Sequence, residues 1–326
     1  MGSDDKVITA YPNYAPTAFT QDGLGKDNGK DGMDTPAEHT KVERWYRGEP
    51  RLEEYKGCGK MKGKACIVTG ADSGIGRTVA VFFAREGADV TVAYVAEEEE
   101  DARVTAKLIE EAGQKANLVA GDLRTQAERE RLVKSHMDTF GALDVLVNNA
   151  SKQIQCKDLA DIDMDNVNDT FQTNIINYIG TTKAALPHMK RGDCIICTTS
   201  VTAYKGSAGM VDYSSTKGSM NTFIRSLALQ QKEKAIRVCG VAPGPVLTPL
   251  QPASRSEEQM DNWGVGDSSL IHGRVGQPAE LGESYVYLAT SNLSTGTIVH
   301  PNSQVPCFSH VVNSSFPNRQ ELRTCD

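Results

Sequence analysis

The octet Thr69-Gly70-Ala71-Asp72-Ser73-Gly74-Ile75-Gly76 lies between the short apolar run KACIVT and the amphipathic stretch RTVAVFFAREG. A strand that turns on glycine straight into a helix opens a βαβ unit, and the same alternation recurs downstream. ADVTVAYV, KANLVAGD, LDVLVNNA, CIICTTS and IRVCGVAPG read as strands, with long helical stretches between them. Parallel strands need such crossovers, and right-handed crossovers cover both faces of the sheet. The strands are apolar on both sides, as befits a sheet buried between two helix layers. The expected fold class is α/β: a doubly wound parallel sheet with helices on both faces, one catalytic-sized domain over residues 61–300.

The remaining segments of the 326 residues lie at the two ends. Residues 1–60 carry YPNYAP, QDGLGKDNGKDGMD and TPAEHT, without helical or alternating apolar period, and read as an extended N-terminal arm. Trp45, Tyr46, Leu52 and Tyr55 are its late apolar residues, available to anchor it on the main domain or on a neighbouring subunit. Residues 301–326 read as a tail.

Composition closes off other classes. Lys and Arg total 35 against 42 Asp and Glu, a net charge of -7, and no stretch concentrates the basic residues, so nucleic acid is not expected as a partner. The opening MGSDDKVITA places paired aspartates where a secretory signal carries positive charge, and no window approaches ~18 consecutive apolar residues. Neither secretion by that route nor a membrane span is expected, and the scattered eight cysteines suit a reducing, cytoplasmic setting. Cys194 and Cys197 form a C-x-x-C inside a strand, where residues three apart face opposite sides, so no metal is expected there. Glu97 to Glu100 read as the acidic first turn of a helix, favoured by its dipole.

Within the octet, Gly70 permits the tight turn, Gly74 lets backbone approach a diphosphate, and Gly76 allows close helix packing, with the helix N-terminus facing the negative charge. Asp72, Ser73 and Ile75 complete that lining. Further strand ends fall on the same carboxyl edge of the sheet. Asp122, followed by Leu123, either accepts from an adenine amino group or caps the next helix. Asn148, Asn149 and Ala150 either close the crevice and tie neighbouring strands or serve as turn residues.

Tyr213-Ser214-Ser215-Thr216-Lys217 sets a phenol and an ammonium four residues apart on one helix face. A tyrosine is a poor acid or base near neutrality unless positive charge favours its phenolate, and Lys217 is spaced to supply that charge. Ser200, at the end of the preceding strand, is placed to hydrogen-bond a carbonyl or alkoxide oxygen, and Asn174 to hold a water that connects Lys217 to solvent. Such a set suits hydride transfer, with Tyr213 protonating the alkoxide as it forms and acting as base in the reverse direction.

Together, TGADSGIG at 69–76, NNA at 148–150, Asn174, Ser200, YSSTK at 213–217 and VAPGPVLTPL at 241–250 resemble the short-chain dehydrogenase/reductase family, over about residues 60–300. The resemblance implies a Rossmann-type fold with Asn174, Ser200, Tyr213 and Lys217 as the catalytic tetrad. Lys217 would also bind the nicotinamide ribose, with Pro243, Gly244, Val246 and Thr248 flanking the nicotinamide, and the protein would assemble as a homodimer or homotetramer. TGADSGIGR, AREGADV, GDLR and GRVGQPAELGESYVYLAT most resemble the subgroup named as NADPH-dependent aldehyde reductases or glucose and ribitol dehydrogenase-like proteins, which commonly has an N-terminal extension.

Departures refine the expectation. No Asp or Glu ends the strand at Val92-Ala93-Tyr94-Val95, where a carboxylate would bind the adenosine ribose and reject a 2′-phosphate, which favours NADP(H) over NAD(H). Ser73, Arg77 and Tyr94 are then the candidate phosphate neighbours, while Glu97 argues for NAD(H). Ser151 replaces the glycine that usually completes N-N-A-G, and the usual glycine-rich ending gives way to PNSQVPCFSHVVNSSFPNRQELRTCD. Residues 249–276 read as a substrate lid, with Trp263 and Leu270 as apolar contacts and Gln153, Ile154, Tyr204 and Met210 as pocket neighbours. The expected activity is NADP(H)-dependent hydride transfer on a carbonyl or alcohol of a small or medium organic molecule. The alternatives are a specialised-metabolism enzyme that reduces a polycyclic ketone or an imine, or directs a cyclisation, and a non-catalytic cofactor-binding protein.

Overall fold

The computed structural model describes residues 7–12, 33, 36–255, 260, 263 and 270–303. Short runs rich in Val, Ile and Cys become the strands β3 (Ala65–Thr69), β4 (Asp89–Tyr94), β5 (Ala116–Ala120), β6 (Val145–Asn148), β7 (Cys194–Thr198) and β8 (Arg237–Val241), with a short β9 (Ile298–Val299). They follow the antiparallel pair β1 (Lys41–Tyr46) and β2 (Glu49–Glu54). The main sheet has the order β5-β4-β3-β6-β7-β8-β9, and every neighbouring pair is parallel. This is the doubly wound Rossmann-type arrangement, whose strand order reverses between β3 and β6.

The crossovers are α1 (Gly74–Arg85), α2 (Glu99–Glu111), α3 (Gln126–Phe140), α4 (Met164–Phe171), α5 (Asn177–Ala185), the short α6 (Thr202–Lys205) and the long α7 (Val211–Gln231). After β8 come the short α8 (Leu250–Ala253) and then α9 (Ala279–Thr290). Local chemistry sets their limits. Thr125 accepts the Glu128 N–H at the start of α3, and Gly141 ends that helix in the left-handed region at φ 73°.

Strand alternation sorts the core into two layers. Cys66, Val68, Val145, Val147, Cys194 and Ile196 pack with α1, α2 and α9. Ile67, Leu146, Ile195 and Cys197 pack with α3, α5 and α7 on the other face, so Cys194 and Cys197 point to opposite sides. Each of the buried large aliphatics contributes roughly 1.5–3 kcal/mol of transfer free energy. The α1 and α9 contact depends on Gly282, where a Cβ would lie 2.4 Å from the Phe82 ring.

Part of the N-terminal stretch is regular. Residues 41–54 form the β1–β2 hairpin, turned by Arg47 and Gly48 at φ 54° and 90°, the pair of positive values that a two-residue hairpin turn requires. Alternation is absent from its sequence because burial falls on the adjacent residues Val42 and Glu43, one to each face. Arg274 reaches Glu43 at 3.1 Å and Glu280 at 2.9 Å, and Tyr11 lies 4.8 Å from the Arg274 guanidinium. Arg44 pairs with Glu283 on α9 at 2.7 Å, Tyr55 stacks on Phe82 at 4.0 Å between ring centroids, and Trp45 stacks on His272. Among the described residues, no helix is long and apolar enough to cross a membrane.

Candidate active site

The crevice at the carboxyl ends of β3 and β6 is built first by glycine. Gly70 has φ 60°, and a Cβ there would lie 2.9 Å from the Ala150 Cα. A Cβ on Gly76 would lie 1.8 Å from the Gly70 carbonyl oxygen, so the turn can sit on α1 only with glycine at both positions. Gly74, at φ 50°, faces Thr248 across the groove, and a Cβ would come within 3.3 Å of that side chain. Ser73 is the N-cap residue of α1 but makes no side-chain cap bond, and its hydroxyl bonds Asp72 instead. Ile75 is half-buried on the first turn and packs against the α1 face of the core.

Asn149 holds the two strand ends together. Its Nδ2 donates to the Thr69 and Gly70 carbonyls at 3.1 Å, its N–H donates to Thr69 Oγ1 at 2.9 Å, and its Oδ1 accepts from Thr198 Oγ1 at 3.1 Å. The Asn148 side chain turns the other way, donating to Thr182 Oγ1 at 3.1 Å and towards Cys197 Sγ. Strand alternation carries the signal: Asn149 falls on the side of Val145 and Val147, Asn148 on that of Leu146.

Beyond the glycine turn, Arg77 is consumed locally, donating to the Asp72 carbonyl at 2.8 Å and to Asp101 Oδ1 at 2.8 Å, so it is not placed as the expected phosphate neighbour. Tyr94 gives its hydroxyl to Glu99. The carboxyl that meets the glycine turn is that of Glu98, hydrogen-bonded to Asp72, while Glu97 stays at the surface. The 3-10 turn Ala96–Glu98 makes this difference, and strand pattern alone carries no sign of it. Burial and the mutual repulsion of the pair push Glu98 up to about 9 and raise Asp72. Asp122 accepts a forked bond from Arg124, which holds its carboxyl below the usual range, and Leu123 packs into the core on the α3 side.

On one face of α7, Lys217 is 1% exposed and Tyr213 8% exposed. The Lys217 ammonium donates to the Thr198 carbonyl at 2.9 Å and lies 5.4 Å from the Tyr213 ring centroid. Burial pushes Lys217 down to about 7 and Tyr213 up to about 12, although a hydrogen bond to Ser200 and the charge of Arg255 both favour the phenolate. Ser200 Oγ accepts from the N–H and the hydroxyl of Thr202 at 3.1 and 3.0 Å. Asn174 sits in a π-helical turn, Gln172–Ile176, between α4 and α5. Its Oδ1 accepts from the Lys152 N–H at 2.7 Å and the Ser151 hydroxyl at 3.1 Å, and its Nδ2 donates to the Lys152 carbonyl at 2.8 Å. The structure thus brings Ser200, Tyr213 and Lys217 together, with Asn174 one layer behind, its Nδ2 on Thr216 Oγ1.

The segment after β8 forms the opposite wall. The Pro243 carbonyl accepts from the Val201 N–H at 2.9 Å, and Asn302 lies against Gly244, where a Cβ would be 2.1 Å from its carbonyl oxygen. Val246 bridges to Gly276, and Val246 and Thr248 are buried. Gln153 donates to Ser254 Oγ at 2.8 Å, joining this wall to the loop after β6. Met210 precedes α7, and Tyr204 packs edge-on against His300. Of the expected lid, residues 256–259, 261–262 and 264–269 lie outside the described residues. Leu270 is spent on packing with Leu247 and Val275, and Trp263 lies against Arg255. Nothing in the polar run QPASRSEEQ distinguishes Arg255 by sequence alone.

Residues 64–259 match the family described as short chain dehydrogenase. The chain is 44% identical over 257 residues to NADPH-dependent aldehyde reductase 1, chloroplastic, of Arabidopsis thaliana, which covers 76% of this chain and 88% of that protein. It is 43% identical over 255 residues to glucose and ribitol dehydrogenase of Daucus carota, covering 76% of this chain and 87% of that one. Among solved structures, a short chain dehydrogenase from Burkholderia cenocepacia in complex with NADP superposes with a TM-score of 0.69 at 27% identity, over 75% of this chain and 98% of that one.

Proposed function

This chain belongs to the short-chain dehydrogenase family, and on that premise we propose that it is an NADP(H)-dependent oxidoreductase interconverting a carbonyl and an alcohol on a small or medium organic substrate. One observation carries the reading: the Lys217 ammonium is buried 5.4 Å from the Tyr213 ring on the same helix face, with Ser200 beside that tyrosine. The groove suits a dinucleotide by its own shape, because side chains at Gly70 and Gly74 would fill it. The solved relative with NADP and the plant reductase named for NADPH support the choice of cofactor.

The glycine turn and the first turn of α1 would hold the diphosphate. Asp122 and Leu123 would border the adenine, Asp72, Ser73 and Tyr94 the adenosine ribose, and Asn148 to Ala150 the floor of the crevice. Lys217 and Tyr213 would hold the nicotinamide ribose, and Pro243, Gly244, Val246 and Thr248 the nicotinamide ring. When bound, the nicotinamide supplies or accepts the hydride. Ser200 fixes the substrate oxygen within reach of Tyr213, which gives up its proton as negative charge grows there. Lys217 stabilises the resulting phenolate and hands it a proton, which the water path at Asn174 returns to Lys217 from solvent.

The test is titration of the protein with NADPH and NADH by fluorescence, followed by NADPH consumption over a range of aldehydes and ketones. Tyr213→Phe should bind NADPH as the parent does and lose turnover by about 10²–10⁴-fold. Unchanged turnover in that variant, or no cofactor binding by the parent, would overturn the proposal.

A further inference from the structure

We propose that Arg255 is the substrate-recognition residue of this site and that the natural substrate carries a carboxylate. The inference rests on the oxidoreductase reading above and adds the substrate class to it.

Arg255 occupies the wall opposite the catalytic helix. Through Gln251 and Ser254 it is joined to Gln153, whose Nε2 donates to Ser254 Oγ at 2.8 Å and to Gln251 Oε1 at 3.3 Å. Gln153 follows Ser151 and Lys152, the residues that hold Asn174. The guanidinium is close enough to Tyr213 for each to influence the other's charge.

Its hydrogen bonding is one-sided. Nη1 donates to the Gln251 side chain, and at 3.4 Å to the Gln251 carbonyl and to Ser254 Oγ. Trp263 lies 5.2 Å from the guanidinium carbon. Among the described residues, Nε and Nη2 meet no protein acceptor and no carboxylate pairs with this arginine. Of the buried arginines, Arg77 and Arg274 each face a carboxylate, at 2.8 and 2.9 Å, and Arg237 spends both Nη atoms on the Leu288, Ala289 and Ser294 carbonyls. A partly desolvated cation without a counter-charge is costly, and burial here works against the charged form. The Nε and Nη2 edge is the planar fork that receives both oxygens of a carboxylate, so a substrate carrying one supplies the missing partner when it binds.

The test compares kcat/KM for 4-carboxybenzaldehyde and 4-methylbenzaldehyde with NADPH, in the parent protein, Arg255→Gln and Arg255→Lys. The parent should favour the carboxylate by about 10- to 100-fold, the scale of one charge-assisted contact. In Arg255→Gln the ratio should fall close to one, and in Arg255→Lys it should lie between, because a point charge replaces the fork. Calorimetric binding of benzoate and benzamide to the protein with NADPH gives a second readout independent of turnover. Benzoate should bind at least tenfold tighter, and Arg255→Gln should abolish the difference. Equal use of both aldehydes by the parent, or an equal loss on both in Arg255→Gln, would overturn the carboxylate assignment. If neither aldehyde is reduced, benzoate binding that depends on Arg255 sustains this inference while the oxidoreductase reading falls, and failure to bind benzoate removes it.

Discussion

Ser151 donates its hydroxyl hydrogen to Oδ1 of Asn174 at 3.1 Å, beside the 2.7 Å bond from the Lys152 N–H to the same oxygen. The residue standing where the family resemblance calls for glycine is therefore wired to the candidate tetrad. Ser151→Ala removes one of two donors and leaves the stronger in place. Steady-state kinetics should show kcat/KM lowered about 3- to 10-fold, as expected for one modest hydrogen bond, with NADPH affinity unchanged.

The two reaction directions should respond differently to pH. Tyr213, pushed up to about 12, keeps its proton throughout the ordinary range, while Lys217, pushed down to about 7, loses its charge within it, so carbonyl reduction should be flat below about pH 7 and decline above it. Alcohol oxidation needs the phenolate beside a charged Lys217, and its kcat/KM should rise about tenfold per unit up to about pH 7 and level off above it, where loss of the lysine charge offsets the gain in phenolate. Parallel pH profiles in both directions check this, and a flat oxidation profile would count against Tyr213 as the base.

Glu98 should make cofactor choice depend on pH. Burial first, and then Asp72, Asp101 and Glu97, favour its neutral form, which persists until about pH 9. Above that value another negative charge appears beside the glycine turn, where it repels a 2′-phosphate more than a ribose hydroxyl. The ratio of NADPH to NADH affinity should fall several-fold between pH 8 and 10. Glu98→Gln should flatten the trend in parallel fluorescence titrations.

His136 should govern part of the acid stability. It is buried on α3 between Thr91 Oγ1 and the Ala142 carbonyl, each at 2.8 Å, and burial lowers it to about 4 from an ordinary 6.5. The folded state thus holds the neutral ring, while the unfolded chain takes up a proton first as the pH falls. Stability should be unaffected above pH 6.5 and decline from there to about pH 4, by no more than about 3 kcal/mol. Thermal melts of the parent and His136→Gln should diverge in slope only within that window.

Glu43→Ala should destabilise the protein by about 2–4 kcal/mol, somewhat less than a wholly orphaned buried ion costs, because Arg274 keeps Glu280 at 2.9 Å. Denaturant unfolding measures the loss. A change under 0.5 kcal/mol would show that the hairpin contributes little to the fold.

What was legible in the sequence was whatever depends on short-range spacing. The glycine turn, the alternation of strands with helices, and Tyr213 with Lys217 one helical turn apart all follow from periods of two and 3.6 residues. The hairpin escaped notice because its buried pair, Val42 and Glu43, is adjacent and half polar. Glu98 was passed over for Glu97 because a single 3-10 turn decides which carboxyl swings towards Asp72. Arg255 gains its meaning from Gln251, Gln153 and Tyr213, and the last two lie far from it in sequence, where local pattern carries no information.

The Glu43 to Arg274 pair spans 231 residues. On a growing chain, the hairpin has no Arg274 to meet Glu43 until 231 further residues have been made. The hairpin is therefore secured late, and a chain halted before Arg274 carries an undocked hairpin that quality-control proteases can reach.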